Sequence, residues 1–289
     1  MPELPEVETT INGLKNKVLN RTFVNVWTDI RKIIKRPISF NLFLKELKGR
    51  RIKGIRRRGK NIIFELSDNY SLLIHQKLTG HLLYGIWENR KGRWLAEDSR
   101  LNEKVNSYIH LIFFLDNKKM IALSDLRKFA KVQLWKNNEL ADSKEFKSLG
   151  PEPLDKDFNF NVFKKRLRKG AIKEVLMDQK VIVGIGNIYS DEILWEARVH
   201  PLRDASKLTQ EELKRIYLSL KKILKKAVKA KGTSISDYRT ITGDEGGFGP
   251  IRKVYQRTNK KCFYCGAAIE RIKIKNRSAH FCPNCQKLL

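Results

Sequence analysis

The chain has 289 residues, and 60 lysines and arginines against 31 aspartates and glutamates give it a net charge of +29. Hydrophobic residues at 41% and aromatics at 9% exclude a disordered chain, the length allows one to three domains with a sizeable core, and no apolar run approaches the roughly 18 residues of a membrane-spanning helix. The acidic N-terminus does not have the form of a secretory signal, so the expectation is an intracellular protein whose partner is a polyanion, nucleic acid by default.

The opening Met1-Pro2-Glu3-Leu4-Pro5-Glu6-Val7-Glu8-Thr9 leads into a predicted helix over 3–19. Val7, Ile11, Leu14 and Val18 form its apolar stripe at spacings of four, three and four. Proline near a helix start and glutamate in the first turn are ordinary helix-start signals. Pro2 has a second reading. Loss of Met1, expected before a small residue, leaves a secondary amine at the terminus. An α-amine titrates near about 7.7–8.0 against about 10.4 for lysine, so far more of it is neutral at pH 7. A neutral amine can attack an aldehyde carbon to form an iminium, and Glu3 beside it is a candidate acid or base.

From about 22 to 136 the pattern turns to strands, expected at 22–27, 51–55, 61–66, 71–75, 81–87, 107–115, 119–124 and 131–135. Many short strands behind one helix predict a β-sandwich. Residues 88–106 are polar and charged and read as a loop, and Gly150-Pro151-Glu152-Pro153-Leu154 reads as a linker. Helices follow at 159–168, 172–178, 187–197 and 209–230. The last opens with Thr209 and Glu212 as a capping box and stops at Gly232. The glycines of 243–250 predict a mobile loop. The expected class is an α+β multidomain protein, with a β-sandwich domain over 1–136, a linker over 137–153, a helical domain over 154–250 and a small module over 251–289.

All four cysteines lie in that module: Cys262-x2-Cys265, sixteen residues, then Cys282-x2-Cys285. Each pair can place two sulfurs on one side of a tetrahedral metal, and four thiolates leave no open position, so the ion is structural. Zinc is the expected ion, with iron the alternative that tetrahedral thiolate sites also accept. Residues Ile269–Ile274 and Ser278–Phe281 can pair as a hairpin. Arg271, Lys273, Lys275 and Arg277 make that hairpin either a DNA-contacting finger or a basic stabilising clip.

The opening Met1–Thr9, the segment Val183-Gly184-Ile185-Gly186-Asn187-Ile188-Tyr189 and the four-cysteine finger together resemble the bacterial formamidopyrimidine-DNA glycosylase family, a relative of endonuclease VIII. Arg57-Arg58-Gly59-Lys60, Gly150–Leu154, Leu176-Met177-Asp178 and the stretch from Arg277 to Cys282 extend the resemblance over essentially the whole chain. It implies a β-sandwich, a helix–two-turn–helix domain and a zinc finger, with double-stranded DNA held between the two halves. It further implies a monomer at the nucleoid of the bacterial cytoplasm, acting in base-excision repair as a bifunctional glycosylase and abasic-site lyase on oxidised purines such as 8-oxoguanine or formamidopyrimidines. Such an enzyme flips its base out of the duplex. By the same resemblance Pro2 is the nucleophile and Glu3 the proton shuttle, while Lys60 serves β-elimination. Arg277 is the residue assigned to δ-elimination; because arginine stays protonated, phosphate binding suits it better. Glu6 helps position the site or simply favours the helix start.

DNA contacts implied by the resemblance are His75, His110, Lys169 and Asn187, the last at a helix start where backbone N–H groups suit a phosphate. Leu78, Arg127 and Phe129 resemble the wedge that fills the gap left by a flipped base; taken alone, Leu78 and Phe129 read as core, and His75 as a packed strand histidine. Two departures stand out. Leu78 replaces the usual Met, and Asp125-Leu126-Arg127-Lys128-Phe129-Ala130 lacks the proline and final glycine of Asp-Pro-Arg-Arg-Phe-Gly. The loop 232–250, whose family counterpart covers the oxidised base, matches loosely. Competing readings are an endonuclease VIII-like preference for oxidised pyrimidines and a non-catalytic damaged-DNA-binding protein; the retention of Pro2, Glu3 and Lys60 argues against the latter.

Overall fold

The computed structural model describes residues 1–235 and 237–288. The chain forms two compact units, Met1–Lys147 with Ala230–Gly249, and Ser148–Lys229 with Pro250–Leu289.

The first unit runs α1 (Leu4–Val18), β1 (Phe23–Thr28), β2 (Ile34–Arg36), α2 (Phe40–Leu47), β3 (Ile52–Arg58), β4 (Asn61–Leu66), β5 (Tyr70–His75), β6 (His81–Gly85), β7 (Trp87–Arg90), β8 (Arg93–Ala96), β9 (Ile109–Leu115), β10 (Met120–Ser124), β11 (Lys131–Lys136), α3 (Asn137–Asp142) and α4 (Lys144–Lys147). A four-stranded sheet in the order β1-β9-β10-β6 and a five-stranded sheet in the order β2-β11-β5-β4-β3 make the sandwich. Phe23 of the first sheet meets Phe64 of the second edge to face, with ring centroids 6.3 Å apart. The stripe Val7, Ile11, Leu14 and Val18 buries α1 in the same core. Burying side chains of this size contributes about 1.5–3 kcal/mol each, which explains why the apolar spacing alone located the helix.

Several expectations change, the first being that the expected linker over 137–153 opens with α3 and α4, which belong to the first unit. Residues 88–106 are not a simple loop: β7 and β8 pair as a hairpin because Trp94 packs edge-on against Trp27 and Phe114. α2 was not foreseen, although Ser39 caps it through the Leu42 N–H and Phe43 and Leu47, one turn apart, are fully buried. Residues 230–249, read from sequence as the end of the helical domain, pack with the sandwich unit instead. Ile241 lies in the sandwich core, and its carbonyl accepts the Tyr84 N–H at 2.9 Å. Part of the glycine-rich stretch is also pinned: Gly246 N donates to Ser234 Oγ at 2.8 Å, and Gly247 N and Phe248 N donate to the Ala230 and Gly232 carbonyls.

The second unit contains α5 (Phe160–Arg166), α6 (Ile172–Met177), α7 (Asn187–Ala197), α8 (Gln210–Lys229), β12 (Glu270–Ile274) and β13 (Arg277–Phe281). The Thr209–Glu212 box closes as expected, Glu212 N donating to Thr209 Oγ1 and Thr209 N to Glu212 Oε2. Gly232, three residues past α8, takes φ +79°. Phe158, Phe163 and Tyr217 fix α8 over α5. A buried ion pair of Lys173 with Asp191 joins α6 to α7, and the second oxygen of Asp191 accepts the His280 N–H of β13 at 2.9 Å. Buried Glu192 accepts the backbone N–H groups of Lys253, Val254 and Tyr255 at 2.8–2.9 Å. Two adjacent carboxylates of one helix thereby anchor the segment leading into the cysteine module and the module itself. Among the described residues no helix is long and apolar enough to cross a membrane.

Candidate active site and nucleic-acid interface

Pro2, Glu3, Glu6 and Lys60 are buried in the first unit. Glu3 is the N-cap of α1 and Glu6 its third residue, and their side chains cap reciprocally. Glu3 N donates to Glu6 Oε2 at 2.8 Å. The other oxygen of Glu6 accepts the Thr233 N–H at 2.7 Å, and the Tyr238 hydroxyl donates to the Glu6 carbonyl at 3.2 Å. Burial holds the Met1 amine below the usual α-amine range; Glu3 and Glu6 pull it back up, Lys60 lowers it, and Asp237 raises it. The chain terminus, the two glutamates and Lys60 thus share one electrostatic neighbourhood.

Lys60 reaches that neighbourhood through the two-residue turn between β3 and β4, which Gly59 enters at φ +58°. Arg57 fixes the turn to α1. Its Nε donates to Glu8 Oε2 at 2.7 Å and its Nη1 to the Gly59 carbonyl at 3.2 Å. The sequence gives no local sign of the Glu8–Arg57 pair, whose members lie 49 positions apart.

His75 ends β5 between Asn61 of β4 and Lys131 of β11. Burial, followed by Lys77, Lys60 and Lys131, lowers its pKa to about 3. It is neutral at pH 7, its Nδ1 accepts the Lys77 N–H at 3.0 Å, and the proton therefore sits on Nε2. Leu78 follows, with Lys77 at φ +58°.

The three wedge candidates come together in this unit. Thr79, next to Leu78, hydrogen-bonds through its hydroxyl to Asp125, and Arg127 N donates back to Thr79 Oγ1 at 3.0 Å. The buried Asp125 carboxylate also accepts the Ala130 N–H at 2.8 Å. These bonds hold the 125–130 loop without the proline and glycine of the family pattern. Phe129 is half exposed, against the core reading, and Arg127 stacks over its ring at 4.9 Å. Leu78 and Phe129 line one shallow basin with Lys32, Lys35, Lys77, Lys128 and Lys131.

His110 is the most enclosed of the expected DNA contacts. Its Nδ1 lies 3.0 Å from both oxygens of Asp29, and its Nε2 is buried.

In the second unit, Asn187 is the first residue of α7 rather than its cap; Gly186 is the cap. Asn187 Nδ2 reaches the Tyr255 hydroxyl at 3.4 Å. Gln179 shapes the glycine turn ahead of it, accepting the Gly184 N–H at 2.8 Å and donating to the Ile185 carbonyl at 2.9 Å. Gln179 and Tyr255 were not singled out from sequence, where neither belongs to a recognisable local motif. Lys169 is exposed beside Gly170 at φ +132°, and Asp204 accepts the Gly170 N–H. Arg277 is exposed at the start of β13, opposite Ile274.

The ligand sulfurs of Cys262, Cys265, Cys282 and Cys285 all lie within 4.8 Å of one another. A tetrahedral ion with Zn–S bonds of about 2.3 Å separates its sulfurs by about 3.8 Å. The Cys262–Cys285 pair is at 4.0 Å and the Cys265–Cys282 pair at 3.4 Å. Tyr264 N and Cys285 N donate to the sulfurs of Cys262 and Cys282, bonds that favour thiolates. The donor set fits one structural zinc. The paired β12 and β13 form the foreseen hairpin.

Three families match in chain order: the formamidopyrimidine-DNA glycosylase N-terminal domain over residues 1–132, the formamidopyrimidine-DNA glycosylase H2TH domain over 149–239, and the zinc finger found in FPG and IleRS over 259–288. The chain is 37% identical over 290 aligned residues to the formamidopyrimidine-DNA glycosylase of Ligilactobacillus salivarius, covering 99% of each. It is 38% identical to that of Heliobacterium modesticaldum, covering 99% of this chain and all of the relative. Among solved structures it is similar to a Lactococcus lactis FPG mutant in complex with Fapy-dG-containing DNA, with a TM-score of 0.87 and 32% identity. It is also similar to the Lactococcus lactis Fpg complex with abasic-site DNA, at 0.86 and 32%; each comparison covers 99% of this chain and 100% of the other. Matches over three successive segments and full-length identity well above 30% lead to one conclusion: the chain belongs to the formamidopyrimidine-DNA glycosylase family.

Proposed function

We propose that this protein is a base-excision repair enzyme that binds damaged double-stranded DNA, releases oxidised purines and cleaves the resulting abasic site. It works as a monomer on chromosomal DNA of the bacterial cytoplasm, at the nucleoid. The observation that carries the reading is the burial of Pro2, Glu3, Glu6 and Lys60 around the chain terminus, in a chain of net charge +29.

After removal of Met1, the neutral Pro2 nitrogen bonds to C1′ of the flipped nucleotide. The glycosidic bond breaks, and the base departs with a proton. Glu3 supplies the proton that opens the sugar ring, leaving an iminium between Pro2 and C1′. The iminium acidifies the C2′ proton; its loss expels the 3′ phosphate, with Lys60 as proton donor. A second elimination expels the 5′ phosphate, and water then hydrolyses the iminium to return the amine. Arg277, permanently charged, binds a phosphate leaving group.

Neutral His75 offers its Nε2–H to a phosphate without adding charge to the lysine cluster around it. Asn187 and the first-turn N–H groups of α7 hold another phosphate, and Lys169 a further one. Leu78, Arg127 and Phe129 enter the space the flipped base leaves. His110, held by Asp29 through Nδ1, completes the proposed set of DNA contacts. The solved structures also include a Lactococcus lactis FPG complex with oxidised-pyrimidine-containing DNA, which favours some pyrimidine excision beside the purine activity.

The test is borohydride reduction of protein mixed with duplexes containing 8-oxoguanine, thymine glycol or an abasic site. A covalent adduct on the abasic duplex, with phosphates at both gap ends, is the expected result. No adduct on any duplex removes the enzymatic reading; a preference for thymine glycol moves it to pyrimidines.

A further inference from the structure

The segment 98–106, which the reaction above does not use, is bound to a second segment, 238–245, that borders the reaction site. The Arg239 side chain is nearly buried between two carboxylates. Its Nε lies 3.7 Å from Glu103 Oε2 and its Nη2 lies 3.0 Å from Glu245 Oε1. Its Nη1 donates to the Tyr238 carbonyl at 3.0 Å. Arg100 reaches Asp244 at 3.8 Å.

Gly243 takes φ +87°, and a Cβ there would stand 2.8 Å from the Arg100 carbonyl oxygen and 3.0 Å from Asn106 Nδ2. Contacts this short leave no room for a side chain. Asn106 is fully buried; its Nδ2 donates to the Arg100 carbonyl at 3.0 Å, and its Oδ1 faces His81 Nε2 at 3.0 Å. Segment 98–106 is therefore anchored to β6 below, while its upper side shapes the 238–245 loop.

The other end of this loop is tied to the catalytic end of α1. Tyr238 donates to the Glu6 carbonyl, and Thr233 N donates to the Glu6 carboxylate whose second oxygen caps Glu3. Asp237 acts electrostatically on the chain terminus. The loop thus borders the proposed reaction site, and its backbone is fixed from outside by Glu103, Asn106 and the Arg100 carbonyl.

We infer that Glu103 and Asn106 are positioning residues for base recognition, setting through Arg239 and Gly243 the pose of the loop against the extruded base. The inference rests on the proposed glycosylase reading. An abasic sugar has no base to hold, so disturbing the brace impairs base release and spares cleavage of a preformed abasic site.

The experiment compares single-turnover release of 8-oxoguanine with cleavage of an abasic duplex for wild type, Glu103→Lys, Gly243→Ala and the control Glu97→Lys. Glu97→Lys makes the same charge change at an exposed residue just ahead of the segment, away from Arg239. Glu103→Lys and Gly243→Ala are expected to slow base release roughly tenfold or more, since small misplacements at a reacting centre are costly. Abasic cleavage should stay within about twofold, and Glu97→Lys should match wild type on both substrates. Equal losses on both substrates in Glu103→Lys, or no loss on either, overturn the inference. Wild-type protein that cleaves abasic DNA and releases no base instead overturns the glycosylase reading on which it rests.

Discussion

Glu6 accepts the Glu3 N–H through one carboxylate oxygen at 2.8 Å and the Thr233 N–H through the other at 2.7 Å. One side chain therefore fixes both the first turn of the helix behind Pro2 and the start of the loop at 233–249. Its backbone carbonyl takes the Tyr238 hydroxyl as well. We predict that Glu6→Ala removes the carboxylate acceptor of two buried N–H donors, at a cost of about 1–3 kcal/mol each. Thermal denaturation should show a lower Tm, and base release and abasic cleavage should both fall. A variant as stable and active as wild type would remove Glu6 from the site.

The terminal amine gives a second prediction. Burial holds the Met1 amine below the ordinary α-amine range despite Glu3 and Glu6, and Pro2, whose nitrogen becomes the terminus once Met1 is removed, is itself buried beside the same groups. A lowered amine pKa leaves more neutral nucleophile on the acidic side, so the rising limb of abasic cleavage against pH should be centred below about 8, the ordinary α-amine value. Pro2→Gly should lose most borohydride-trappable adduct, because the primary amine and altered backbone no longer present the same nucleophile. Intact-protein mass spectrometry first establishes that Met1 is removed. A limb centred above the ordinary value would contradict the burial argument, and trapping undiminished in Pro2→Gly would contradict the nucleophile.

His75 carries a third. Its folded pKa, about 3, lies far below the unfolded value of about 6.5. Between those values the unfolded chain binds the extra proton, so stability contributed by the neutral ring is present above about 6.5 and is lost as pH falls toward 3. Urea denaturation of wild type should show stability declining across that window, and His75→Gln should show a shallower decline. Identical slopes would mean that burial and the lysines around His75 do not disfavour its protonation in the folded state.

Local patterns made much of this architecture legible. The stripe Val7, Ile11, Leu14 and Val18 defined α1 because all four side chains share one buried core. The Thr209–Glu212 box and the cysteine spacing are short-range signals that the structure realises directly. What stayed hidden depends on distant partners. The 87–96 hairpin needs Trp27 and Phe114 to bury Trp94. Lys60 is oriented by the pairing of Arg57 with Glu8. The 230–249 stretch joins the sandwich unit through Glu6 and Tyr84, far from it in sequence. Asp125 replaces lost turn chemistry with side-chain bonds to Thr79 and Ala130, a compensation that composition alone does not reveal.

The cysteine module supplies the last prediction. Its four thiolates hold one structural ion, while Asp191 and Glu192 tie β13 and the 253–255 segment to α7. Asp191 also neutralises buried Lys173. Lys173→Met leaves Asp191 as a buried carboxylate with only the His280 contacts, and breaking such a pair costs about 3–5 kcal/mol. Chelating the zinc acts on the same assembly from the other side: it frees the thiolates and removes the link that sets Arg277 on its strand. Both treatments should lower Tm and weaken binding to an abasic-analogue duplex. Chelation should also make the affinity less sensitive to salt, because fewer phosphates are neutralised. If metal-free protein binds the duplex with wild-type affinity and an unchanged salt slope, the hairpin does not touch DNA and the module serves only as a clip.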